Sequence, residues 1–163
     1  MNENIQMLAA EAVGRMIEKN YRVAAAESCT GGLVAAALVG VPDASRVLDV
    51  SIVTYANEAK IAYAGVSEEA LRLHGAVSRE VAEEMAAGIA RTAGAQIGLA
   101  TTGIAGPGGG TPEKPVGLVW FGISMDGRVE SFSRLFAGME RNEVRRAAVE
   151  AILRRLLELL KEL

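Results

Sequence analysis

Hydrophobic positions along this chain alternate between a helical period and short continuous apolar runs. Ile5, Leu8, Ala9, Ala12, Val13, Met16 and Ile17 recur at helical spacing, with Glu3, Glu11, Arg15, Glu18 and Lys19 largely opposite them, which predicts a surface helix over 4–19. Tyr21 to Ala26 is a short apolar run that meets Glu27 and Ser28. Thr30-Gly31-Gly32 then opens an Ala-, Leu- and Val-rich helix ending near Gly40-Val41-Pro42, so this stretch reads strand, tight turn, helix. Val50 to Tyr55 is expected to be a buried strand, and Asn57 to cap a helix that starts at Glu58 and carries Lys60 in its first turn.

Ser67 and Ser78 have the position of N-caps for a short helix over 68–73 and a longer one over 79–93, the latter with Val81, Met85 and Ile89 inward and Gly94 as its stop. Gln96 to Thr102 is a strand, a loop runs from Gly103 to Pro115, and Val116 to Met125 is a long strand. It ends at the turn residues Asp126-Gly127, from which Val129 to Phe136 returns antiparallel. Val144, Ala147, Ala148, Ala151, Ile152, Leu156, Leu159 and Leu160 mark a closing amphipathic helix from Glu140 to the end. Strands that alternate with helices, followed by one terminal antiparallel hairpin, predict a single α/β domain over 1–163. Its mixed, mostly parallel sheet has helices on both faces.

Bulk properties narrow the function. No run of about 18 apolar residues is free of charge, so no membrane span or signal peptide is expected. A single cysteine, Cys29, rules out an internal disulfide, and with only one histidine, His74, the chain lacks the usual side chains of a structural zinc site; a reducing cytoplasm is the natural setting. Net charge is −3, the late arginines are interleaved with glutamates, and aromatics are 4% of residues, so a nucleic-acid partner has little support and a small molecule is favoured.

Ligands of parallel α/β sheets bind outside the carboxyl ends of strands, and three polar clusters fall there. In Glu27-Ser28-Cys29-Thr30-Gly31-Gly32 the glycines permit a tight turn that aims backbone N–H groups above a helix start. Ser28 has the chemistry of a nucleophile there, or Ser28 or Thr30 merely caps the helix. Cys29 is a competing nucleophile without a cysteine-protease signature around it. The second cluster, Thr54 to Lys60, carries Tyr55 and Lys60 across a strand-to-helix junction. A lysine can replace histidine as base if burial moves its pKa from about 10.4 toward 7, a differential of about 4–5 kcal/mol, which requires a largely desolvated side chain rather than the commoner exposed one.

The third cluster is the loop Thr101 to Thr111, in which six of eleven residues are Gly or Pro, so its backbone can approach a ligand closely. It has neither a P-loop Gly-Lys-Ser/Thr ending nor the Gly-x-Gly-x-x-Gly of a dinucleotide-binding βαβ unit. Lys114, and Arg141 with Arg145 four residues on, are available for a phosphate or carboxylate, or are solvated surface charge.

ESCTGG at 27–32, VTYANEAK at 53–60, GAVSREVAEEMA at 75–86, TTGIAGPGGGTPEKPVG at 101–117 and RNEVRR at 141–146 together resemble the CinA C-terminal domain family, in order and over nearly the whole chain. The resemblance implies a three-layer α/β/α sandwich with a five-stranded mixed sheet. It also implies a metal-independent serine/lysine amidohydrolase that needs no cofactor and converts nicotinamide mononucleotide to nicotinic acid mononucleotide and ammonia. On that reading Ser28 is the nucleophile, Lys60 its base, and Tyr55 the hydroxyl that orients or relays between them. Backbone N–H groups near Thr30 and Gly31 would stabilise the oxyanion, and Gly32 would join them in binding the substrate. Thr102, Gly103, Gly106 and Gly109 would embrace the nucleotide, with Lys114, Arg141 and Arg145 toward its phosphate.

Two positions depart from the family pattern. Asp49-Val50-Ser51 stands where glycines are frequent, and Asp43 replaces a usual glycine, which bears on substrate fit. Multidomain relatives carry a further N-terminal hydrolase domain, and this chain is expected to be the deamidase part alone. A non-catalytic nucleotide-binding or regulatory module is the alternative, and an esterase or amidase for another small substrate a third reading. The alanine-rich helix over 79–93 would suit self-association as a homodimer.

Overall fold

The computed structural model describes residues 2–163. Helix α1 (Glu3–Lys19) leads into β1 (Val23–Glu27), α2 (Leu33–Val39) and, after a 3-10 turn at Ala44–Arg46, β2 (Leu48–Val53). Helices α3 (Asn57–Ala64), α4 (Glu68–His74) and α5 (Arg79–Ala93) precede β3 (Ile97–Gly103), and β4 (Leu118–Met125), β5 (Arg128–Leu135) and α6 (Arg141–Glu162) complete the chain. No helix among the described residues is long and apolar enough to cross a membrane.

The sheet has the order β2-β1-β3-β4-β5, with β2, β1 and β3 mutually parallel and β4 and β5 antiparallel additions. Alternate residues of β1 face opposite layers. Val23 and Ala25 join the core shared with α1, α2 and α6, whereas Ala24 and Ala26 join the one beneath α3, α4 and α5. Both faces of the sheet are therefore covered, and the expected α/β sandwich is present.

Local chemistry fixes most helix ends where the sequence places them. The side chains of Ser67 and Ser78 accept from the N–H groups of Ala70 and Val81, and Gly94 ends α5 with φ +64°. Two ends differ. Asn57 lies inside the first turn of α3, and Ala56 is the N-cap, because the Ala56 carbonyl already accepts from Lys60 N. Neither Ser28 nor Thr30 caps α2; its N-cap is Gly32, and the cap's side-chain work is done by Glu27. The strand expected to be buried, β2, is an edge strand. It pairs only with β1, and Val53 is 46% exposed.

Helix α5 lies unusually close to the sheet. A Cβ on Gly98 of β3 would stand 2.0 Å from the Ala86 carbonyl oxygen, and one on Gly122 of β4 would stand 2.1 Å from that of Ala82. On the far side of α5, a Cβ on Gly88 would stand 1.7 Å from the Ala64 carbonyl oxygen of α3. Ala82, Ala86 and Ala90 are consequently buried within the chain, which corrects the expectation that this helix offers an alanine-rich surface for self-association.

Candidate active site

The chain leaves β1 toward β2 on one side and later returns to β3 on the other, so β1 and β3 flank a topological switch point, where α/β sheets bind ligands. Register then decides which residues meet. Glu27 is level with Val53 and with Thr101, which brings Ser28, Thr54 and Thr102 to the same edge of the sheet. Ser28 N donates to the Thr101 carbonyl at 2.9 Å, and Thr54 N donates to the Glu27 carbonyl at 2.8 Å. The nucleophile candidate is thus anchored from both neighbouring strands.

Lys60 reaches the same point from the first turn of α3, where it is only 1% exposed. Its Nζ lies 3.3 Å from Ser28 Oγ, 2.8 Å from the Thr54 carbonyl oxygen and 3.2 Å from the Tyr55 carbonyl oxygen. Burial lowers the lysine pKa, because no carboxylate is among these partners to compensate the desolvated ammonium. A neutral amine has two N–H donors and one lone pair. In the ammonium form Nζ donates to all three oxygens; in the neutral form the two carbonyls, which can only accept, take the two donors and leave the lone pair for the Ser28 hydroxyl to donate to. This is the hydrogen-bond pattern of a serine whose proton is ready to leave.

Glu27, whose chemical role the sequence reading passed over, organises the turn above β1. Its carboxylate, 1% exposed, accepts from Thr30 Oγ1 at 2.6 Å, from Gly32 N and Val34 N at 3.0 Å, from Ala35 N at 2.8 Å and from Ser51 Oγ at 3.3 Å. A carboxylate at the first turn of α2 satisfies N–H groups that have no partner within the helix and meets the positive end of its dipole. The chain can curl this tightly because Gly31 and Gly32 both adopt positive φ, +59° and +92°. An acidic residue at a strand end, four residues before a Gly-Gly pair, was the available signal.

Several expected site residues take other roles. The Thr30 side chain is fully buried, bonding the Glu27 and Thr101 side chains, and Gly31 N and Gly32 N are spent on the Ser28 carbonyl and on Glu27, so neither glycine offers a free oxyanion donor. The Tyr55 hydroxyl is bonded to neither Ser28 nor Lys60, which touch each other directly. Its side chain is 61% exposed, and its hydroxyl accepts from Arg141 Nη2 at 3.0 Å. Lys114 is tied to the His74 carbonyl and lines a neighbouring depression together with His74. Burial pushes the Cys29 thiol up to about 12, which removes it as a competing nucleophile at neutral pH.

Around Ser28 and Lys60 lies a cleft of about 300 Å³, walled by Cys29, Tyr55, Asn57, Ala76, Val77, Thr102, Gly103, Ile104, Ala105, Gly106, Gly108, Gly109 and Arg141. The glycine-rich loop therefore supplies one wall, as its composition suggested. Thr102 Oγ1 fastens that wall by donating to the Ala76 carbonyl at 2.7 Å, and Val116 fills the space a Cβ on Gly106 would need, at 2.5 Å. Arg141 spans the mouth, donating from Nη1 to the Gly106 carbonyl at 2.7 Å as well as to Tyr55. Arg145 does not line the cleft; its Nε and Nη2 donate to the Cys29 and Thr30 carbonyls at 3.1 and 3.0 Å. Asp49 pairs with Arg22 at the amino end of β2, and Asp43 adopts φ +65°, the conformation that favours glycine there; neither lines the cleft.

A family model described as the CinA C-terminal domain matches residues 5–160. A CinA-like protein of Kosmotoga olearia is 52% identical over 144 residues, covering 87% of this chain and 35% of the relative. A Clostridium acetobutylicum relative with a provisional competence-damage inducible name is 51% identical over 138 residues, covering 85% and 33%. The chain thus spans about a third of the length of these curated relatives. Among solved structures, the competence/damage inducible protein CihA of Agrobacterium tumefaciens superposes with a TM-score of 0.95 at 41% identity, covering 98% of this chain and 97% of that one. A CinA superfamily protein of Klebsiella pneumoniae gives 0.94 at 36% identity, with both chains fully covered.

Proposed function

The chain belongs to the CinA C-terminal domain family, and from that premise we propose that it is a serine amidohydrolase that deamidates nicotinamide mononucleotide, using Ser28 and Lys60. The observation that carries the reading is the direct contact between the buried Lys60 amine and Ser28 Oγ on the floor of the cleft.

The chemistry follows from that contact. Ser28 Oγ attacks the carboxamide carbon while its proton passes to Lys60 Nζ, and the carbonyl oxygen becomes an oxyanion held by backbone N–H groups at Cys29 and Thr30. Collapse breaks the C–N bond, and Lys60 returns the proton to the departing nitrogen, which leaves as ammonia. Water then attacks the acyl-serine and gives one proton to Lys60, which passes it to Ser28 Oγ as the acyl C–O bond breaks; the acid so released ionises to the carboxylate, losing the water's second proton to solvent. Arg141, at the mouth, is placed to meet the 5′-phosphate by exchanging its protein partners, Tyr55 and Gly106, for phosphate oxygens.

The test is ammonia release from nicotinamide mononucleotide and from the unphosphorylated nucleoside, with EDTA present. Wild type should turn over the nucleotide, Ser28→Ala should not, and Arg141→Met should raise KM for the nucleotide more than for the nucleoside. Binding without turnover by wild type would instead identify a nucleotide-binding module, and equal turnover of nucleoside and nucleotide a less selective amidase.

A further inference from the structure

Arg145 is a charged group on the nucleophile turn that the mechanism leaves unused. It comes from α6, yet all its guanidinium nitrogens are engaged: Nε with the Cys29 carbonyl at 3.1 Å, Nη2 with the Thr30 carbonyl at 3.0 Å and Nη1 with Asn142 Oδ1 at 2.8 Å. The guanidinium lies against the turn so closely that a Cβ on Gly31 would stand 3.2 Å from Nη2. These bonds take three of the five guanidinium N–H groups and hold the side chain on the turn, outside the lining of the cleft.

Their geometric effect is on the opposite side of each peptide. In a trans peptide the C=O and the N–H point in opposite directions, so fixing one fixes the other. Gly31 N holds the Ser28 carbonyl at 3.1 Å, which orients the Cys29 N–H; Arg145 holds the Cys29 carbonyl, which orients the Thr30 N–H. Among the described residues neither of those two N–H groups meets a protein acceptor. A cation on the carbonyl side also polarises the peptide and strengthens its N–H as a donor.

We infer that Arg145 is a positioning residue for the Ser28 reaction, clamping the Cys29 and Thr30 carbonyls so that the N–H groups of the same turn face the developing oxyanion. This rests on the reading of Ser28 as nucleophile, and it replaces the expectation that Arg145 binds phosphate. Lysine keeps the charge but lacks the planar fork that bridges two carbonyls, so it cannot substitute fully.

The experiment compares wild type with Arg145→Met and Arg145→Lys in two assays. One is the second-order rate at which an alkyl fluorophosphonate labels Ser28. There the serine oxygen forms the P–O bond, fluoride leaves, the proton goes to Lys60, and the phosphoryl oxygen occupies the oxyanion position. The other is kcat and KM for nicotinamide mononucleotide. Both variants should lose at least about tenfold in labelling rate and in kcat, with KM within about threefold of wild type. Unchanged labelling and kcat with a raised KM would return Arg145 to the phosphate, and unchanged values throughout would make it a surface contact; either overturns the inference. Should Arg145→Met lose its cooperative thermal transition, Arg145→Lys alone decides. Wild type that labels at Ser28 but does not deamidate the nucleotide removes the substrate reading while labelling still judges Arg145. Failure of wild type to label at all removes the nucleophile and the inference with it.

Discussion

Glu27 and Lys60 are both ionisable and both 1% exposed, and they are accommodated in opposite ways. Glu27 is surrounded by donors, from Thr30, Ser51 and the first turn of α2, whereas Lys60 has only neutral oxygens within reach. Glu27→Gln keeps the shape but turns donors toward donors at a buried site. It should therefore lower stability by about 2–4 kcal/mol in urea denaturation and reduce kcat with it, because the Ser28 turn loses its anchor. A stability within about 0.5 kcal/mol of wild type would show that the carboxylate is dispensable. Cys29 gives the complementary expectation. With its thiol at about 12, Cys29→Ala should leave ammonia release within about threefold of wild type, and the native thiol should resist alkylation. Loss of activity in Cys29→Ala would reopen the question of the nucleophile.

At the scale of elements, what the sequence revealed and what it concealed can be separated by cause. Periodicity and capping chemistry are local, so α1, α5 and α6, the Asp126-Gly127 hairpin and the caps at Ser67 and Ser78 were legible. The edge position of β2 was not, because an apolar run such as Val50 to Tyr55 does not declare whether one or two neighbours will pair with it. The tight seating of α5 was also hidden, since Gly88, Gly98 and Gly122 lie far apart in sequence and converge only through the sheet. Helical glycines consequently divide into two kinds. Gly88→Ala forces a methyl into the Ala64 carbonyl and should cost about 3 kcal/mol or more, whereas Gly14→Ala in α1 meets nothing within 4 Å and should gain about 0.5–1 kcal/mol from helix propensity. Thermal denaturation of the two variants checks both signs, and a stable Gly88→Ala would contradict the close approach.

In the whole molecule, the site is an assembly of β1, β2, α3, the loop after β3 and the start of α6, and only the complete fold brings Ser28 and Lys60 together. The family resemblance supplied that pair in advance; spacing alone left Ser28 as nucleophile or cap, and it could not separate Arg141 at the cleft from Arg145 on the turn. The catalytic proposal also has a cost for the fold. Because burial lowers the Lys60 pKa in the folded state, the protonated form is destabilising at every pH below that folded value. The penalty fades as pH rises from the folded value toward the unfolded one near about 10.4. Lys60→Met should therefore be more stable than wild type at neutral pH, and the difference should shrink on the alkaline side. The most direct test of the central claim is the pH dependence of kcat/KM for nicotinamide mononucleotide set beside an NMR titration of Lys60. Activity should rise with pH through a pKa below about 10.4, the Lys60 amine should titrate with that same pKa, and Lys60→Met should show no turnover. A Lys60 that titrates as an ordinary exposed lysine, or a Lys60→Met variant that still releases ammonia, would contradict the claim.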